Sequence, residues 1–164
     1  MRQSQQNGYT LLELVAVIAI MGILSALATY SVNIVFDGNT KSFASQFASE
    51  VRSTKDKVLA SKESSYAIQI GYDTNAQKYY YEMRKNNVSE SKCLLKSDVS
   101  ISRKIGNETK PLKVLAQVSE ITFNPSTGQA EGDTGIYIFE NMITHKQIFV
   151  NVIKKTGSVI IDEK

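Results

Sequence analysis

The chain changes its hydrophobic rhythm more than once. Residues 14–36 contain no charged side chain, and their Leu, Ile, Val and Ala are spread round every helical face. A helix needs roughly 20 apolar residues to cross the hydrocarbon core of a bilayer, so this stretch is long enough. Gly22, Ser25, Ala26 and Ala28 are small and would let neighbouring helices approach closely. The run Asp37-Gly38-Asn39-Thr40 predicts a break or bend, with Asn39 or Thr40 capping a new helical stretch. From Lys41 to about Lys62 the spacing is helical again. Phe43, Phe47, Val51, Val58 and Leu59 fall near one face, with Ala44 and Ala48 beside them. Glu50, Arg52, Lys55, Asp56, Lys57 and Lys62 mostly take the other, so the aromatic face is the one expected to lie on a sheet.

Beyond Ser65 the period becomes two. Strands are predicted at residues 66–72, 78–84, 92–95, 99–102, 112–118, 120–123, 136–140, 147–153 and 158–161. Turn residues separate them, notably NPSTG at 124–128, EGD at 131–133 and KTG at 155–157. A helix followed only by short strands and hairpins predicts an α+β fold. The expectation is a long N-terminal helix, membrane-spanning in its first half, packed on an antiparallel β-sheet domain. The sequence shows no internal repeat and no low-complexity linker.

Composition narrows the chemistry. With 164 residues, a membrane segment ending at residue 36 leaves enough chain for one domain with a real core. The net charge of +3 permits nucleic acid as a partner without demanding it. Cys93 is the only cysteine, which excludes an intramolecular disulfide and reads as a small buried apolar residue. His145 is the only histidine, in a hairpin loop, with no cysteine pair beside it. Neither a zinc site nor a nucleophilic dyad is indicated, and no phosphate-binding loop or G-x-S-x-G turn is present. No catalytic residue, metal or cofactor is therefore expected. Asn87-Val88-Ser89 and Asn107-Glu108-Thr109 match a glycosylation triplet that chance often produces.

One residue disturbs the simple membrane readings. Glu13 stands at the mouth of the apolar run, and a carboxylate carried to mid-bilayer costs about 2.5–3.5 kcal/mol. A secretory signal peptide would use Arg2 as its basic end, and Ala26-Leu27-Ala28 as a cleavage site before Thr29. An uncleaved anchor would keep Arg2 and the first amine on the cytoplasmic side. Neither explains Glu13, nor the nearly neutral leader RQSQQNG that stops at Gly8.

The stretch Gly8-Tyr9-Thr10-Leu11-Leu12-Glu13 resembles the cleavage signature of type IV prepilins and pseudopilins. That resemblance implies a leader at residues 1–8, a transmembrane and assembly helix at 9–36 and a soluble domain at 37–164. It implies cleavage between Gly8 and Tyr9 by a membrane-embedded prepilin peptidase, and methylation of the new Tyr9 amine. Glu13 of an incoming subunit would then neutralise the Tyr9 amine of its neighbour and set the register of assembly. Two departures stand out: the family norm is Phe where this chain has Tyr9, and many pilins carry proline where it has Tyr30.

Residues 121–128 (ITFNPSTG) and 148–161 (IFVNVIKKTGSVII) look like the C-terminal half of GspH/FimT-type minor pseudopilins, although Ser158 stands where that group often has a basic residue. The resemblance implies a structural subunit of a type IV pilus or type II secretion pseudopilus. Its partners would be other pilin subunits, the peptidase and membrane lipid. Its N-terminus would be cytoplasmic and its soluble domain outside the cytoplasm. The competing expectation is a DNA-binding pilin used in DNA uptake, with Lys154, Lys155, Arg103 and Lys104 as phosphate contacts and Lys110 and Lys113 nearby. A third is a secreted or anchored domain of another activity.

Overall fold

The computed structural model describes residues 10–112 and 118–163. Among the described residues one helix, α1 (Leu11–Ser61), precedes ten strands. These are β1 (Tyr66–Asp73), β2 (Lys78–Lys85), β3 (Val88–Leu94), β4 (Val99–Ile105), β5 (Glu108–Pro111), β6 (Ser119–Phe123), β7 (Ala130–Gly132), β8 (Gly135–Asn141), β9 (Gln147–Val152) and β10 (Val159–Glu163). The chain divides into two compact units, Met1–Val35 and Phe36–Lys164. The predicted break at residues 37–40 is not found. All four are helical, and the Thr40 hydroxyl donates to the Phe36 carbonyl at 3.3 Å instead of capping a new helix.

In the second unit the strands form two antiparallel sheets where one was expected. The first has the order β3-β2-β1-β6-β7 and the second β10-β9-β8-β4-β5. Both lie against the helical residues from Phe36 onward. Ala44, Phe47, Ala48, Val51 and Val58 are fully buried, as the stripe predicted, and Thr40 and Thr54 complete it. The Thr54 hydroxyl returns to the Glu50 carbonyl at 2.8 Å, which satisfies it inside an apolar contact. Phe47 joins the layers: its ring lies 5.6 Å from Tyr81 in the first sheet, and 5.4 and 5.5 Å from Tyr137 and Phe139 in the second. Such ring pairs add to simple area burial when edges meet faces.

Of the predicted strand at 112–118 only the two ends are described. Leu112 lies in a turn with its side chain in the core, and residues 113–117 lie outside the described residues. Two short strands, β5 and β7, escaped the period-two reading. Every residue of β5 is exposed, so it shows no alternation to read. β7 is only three residues long.

One turn design recurs at four hairpins. Asp73, Asn124 and Asn141 each accept two backbone N–H bonds through their side-chain Oδ1 from the residues two and three places on. The residue four places on then takes positive φ: Gln77, Gly128 and His145. The β9–β10 turn repeats the backbone path from Ile153 to Gly157 without the side-chain acceptor. The local Asp or Asn bond favours this turn over continued strand.

Candidate assembly and membrane-anchoring site

α1 opens on a reciprocal cap. The Thr10 hydroxyl accepts the Glu13 backbone N–H at 3.2 Å. In return, Glu13 Oε2 accepts the Thr10 backbone N–H at 2.9 Å and the Thr10 hydroxyl at 3.0 Å. This is the S/T-x-x-E capping box, which satisfies two helix-start donors at once. Thr10 was missed as a site residue, although T-L-L-E spells the box in the sequence. The negative charge also lies at the positive end of the helix dipole, a favourable place for it.

Among the described side chains from Leu11 to Val35, the large apolar ones around α1 are exposed, with Leu, Ile, Val and Met between 45% and 82% accessible. α1 is the one helix among the described residues long and apolar enough to cross a membrane. Three hydroxyls in this stretch bond back to its own backbone. Ser25 donates to Met21 O at 2.7 Å, Thr29 to Ser25 O at 3.0 Å and Ser31 to Leu27 O at 3.0 Å. In hydrocarbon each would otherwise be an unpaired donor. Gly22 has open space where a Cβ would stand, leaving a shallow place for a neighbouring helix. The predicted cleavage and methylation residues Gly8 and Tyr9 lie outside the described residues.

The basic residues named for nucleic acid take two different situations. Arg103 lies on the inward face of β4, its side chain 14% exposed and its Nη1 2.6 Å from Asp133 Oδ1. The same nitrogen donates to Ser119 Oγ of β6 at 3.2 Å, so Arg103 ties one sheet to the other. Asp133 is held in place by the Glu120 N–H at 3.2 Å and by the Tyr137 hydroxyl donating to its carbonyl. Burial pushes the Tyr137 hydroxyl well above its ordinary value, which keeps it a donor. Lys104, Lys154 and Lys155 are exposed. Register puts them at one end of the second sheet, because Lys104 opposes Ile136, Ile136 opposes Asn151, and the turn after Val152 carries the other two.

His145 Nδ1 lies 3.2 Å from Glu140 Oε1. Among the described residues no three His, Cys, Asp or Glu converge as a metal site. Cys93 is half-buried, close to the side chain of Tyr81.

An α+β chain whose helix is uncharged from Leu14 to Phe36, capped by a carboxylate and holding back-bonded hydroxyls, has a build that fits membrane anchoring. The family model described as the prokaryotic N-terminal methylation motif matches residues 3–29, which supports a type IV pilin-like chain that is a prepilin-peptidase substrate. The motif points to a structural subunit that assembles with other pilin subunits, and the apolar helix fits membrane anchoring. No curated protein and no solved structure matches the chain.

Proposed function

We propose that the chain is a minor pilin or pseudopilin of the GspH/FimT kind, serving a type IV pilus or a type II secretion pseudopilus. The single observation that carries this reading is the placement of Glu13. It caps an apolar helix that begins just beyond the proposed cut between Gly8 and Tyr9. Before cleavage the Tyr9 nitrogen is an uncharged amide; afterwards it is an amine that takes up a proton. Glu13 of an arriving subunit then finds that cation on its neighbour, within a helix bundle where either charge alone is costly. The Thr10 bonds satisfy part of the carboxylate while the subunit still waits in lipid.

Mass analysis of the native N-terminus tests the reading. A chain starting at methylated Tyr9 supports it. A chain starting at Met1 or Thr29 overturns it. Glu13→Ala should leave the second unit folded yet sharply reduce co-purification with filaments; normal incorporation would reject the register role.

A second reading, DNA binding, rests on Lys104, Lys154 and Lys155 sharing one end of the second sheet. Phosphate contacts would make affinity fall steeply with salt. Titration of duplex DNA at two salt concentrations tests it, and salt-independent or absent binding rejects it.

A further inference from the structure

The second unit begins at Phe36, where the uncharged run of the sequence ends. One residue later, Asp37 Oδ1 accepts the Thr144 hydroxyl at 2.5 Å. That bond ties the β8–β9 turn to the point at which the chain leaves the unit. The two residues at the tip of this turn are apolar and exposed, Met142 at 57% and Ile143 at 53%. Their backbone is not loose. The Ile143 and Thr144 N–H groups are held by Asn141 Oδ1, and the Met142 N–H donates to the Asp98 carbonyl at 2.7 Å. A fully buried Asn141 side chain thus presents two large apolar groups to solvent at a fixed position.

We propose that this tip is a second membrane contact, in which Met142 and Ile143 enter the lipid interface near the point where the chain leaves the second unit. The proposal rests on residues 14–36 spanning the bilayer, as in the reading above. The occupant follows from position and chemistry. If Phe36 stands at the hydrocarbon boundary, a turn bonded to Asp37 stands at headgroup level, where burial of apolar side chains is favourable. Charges around the turn are mixed. Lys96 donates to Asn39 Oδ1 at 3.1 Å, and Lys41 and Lys146 both face Glu163, at 2.5 and 3.9 Å. Asp37, Asp98 and Glu140 add further carboxylates. Attraction to anionic lipid therefore contributes little, and insertion into zwitterionic lipid is expected. The contact would restrain the second unit at the bilayer before assembly and would be released when the subunit is drawn into a filament.

The test uses the full, unmodified chain at low density in phosphatidylcholine vesicles doped with a photoactivatable phosphatidylcholine. Mass spectrometry then maps the lipid adducts. Adducts on residues 142–143 as well as within 14–36, with none on the exposed Val88 of the β2–β3 hairpin, support the proposal. Adducts confined to 14–36 overturn it and leave the anchoring intact. Their absence from 14–36 overturns the anchoring reading and this inference with it. A fluorophore attached at an Ile143→Cys position in a Cys93→Ser background gives an independent readout. Its emission should shift to the blue in vesicles even when chains are sparse. A shift that appears only as chain density rises would mean that a second copy covers the tip, and would overturn lipid contact.

Discussion

Glu13 completes the cap with Thr10 in the single chain. Under the proposed function the same carboxylate meets a neighbour's amine on assembly. Thr10→Val should weaken the helix start by about 1 kcal/mol, as loss of a capping hydroxyl does elsewhere. Because the carboxylate survives, filament incorporation should fall less than in Glu13→Ala, which quantitative blotting of sheared filaments measures. Acid sensitivity also belongs at this scale. The Ala76 N–H, with help from Lys92, holds the Asp73 carboxyl below its ordinary value of 3.8. Lys41 does the same for Glu163, below 4.5. Both groups bind a proton more weakly when folded, so their contribution is complete above those ordinary values. It is lost as pH falls below them through the depressed folded values. Carbon-detected titration should give midpoints under 3.8 and 4.5, with Asp73→Asn removing one component of the acid destabilisation.

The helix and its turns carry the next set of consequences. Phe47 touches rings in both sheets at 5.4 to 5.6 Å, so Phe47→Ala should cost about 3–5 kcal/mol in thermal or denaturant unfolding of the second unit. Two glycines separate conformational cost from steric cost. Gly106 and Gly157 have nearly the same positive φ, 62° and 61°. A Cβ on Gly106 meets open space, whereas one on Gly157 would stand 2.2 Å from the Gly128 carbonyl and beside Phe123. Gly106→Ala should therefore cost about 1 kcal/mol, and Gly157→Ala at least twice that, about 2 kcal/mol or more. Equal losses would show that the β6–β7 and β9–β10 turns separate easily. The Arg52 guanidinium donates to the Val159 carbonyl at 2.9 Å and Lys55 to Thr156 O at 2.8 Å. The helix thereby shields the start of edge strand β10, an edge otherwise open to pairing with another chain.

At the scale of the whole molecule, two lipid contacts are proposed: the uncharged run of residues 14–36, and the Met142–Ile143 tip, whose next residue Thr144 bonds Asp37. The α+β class, the buried helical stripe and most strands were legible because each depends on local period. The capping box is equally legible in T-L-L-E, since it joins residues only three apart. The fully exposed β5 could not be read, since a strand without a buried face has no alternation. The helix runs on through residues 37–40, where local composition predicts a break, for a different reason. Gly and Asp lower helix propensity, but burial of Thr40 and packing of the residues that follow outweigh that weak preference.

Order along the chain is enough to specify the uncharged stretch, the 3.6 and 2.0 periods and the turns built on Asp73, Asn124 and Asn141, because each involves neighbours a few residues apart. Three other features arise only from folding: the division into two sheets, the inward turn of Arg103 onto Asp133 and Ser119, and the bond from Thr144 to Asp37. These join positions far apart in sequence, and which ones meet depends on strand register and on the packing of both sheets against one helix. Shifting a strand by a single residue reverses its faces, so no local pattern encodes those meetings.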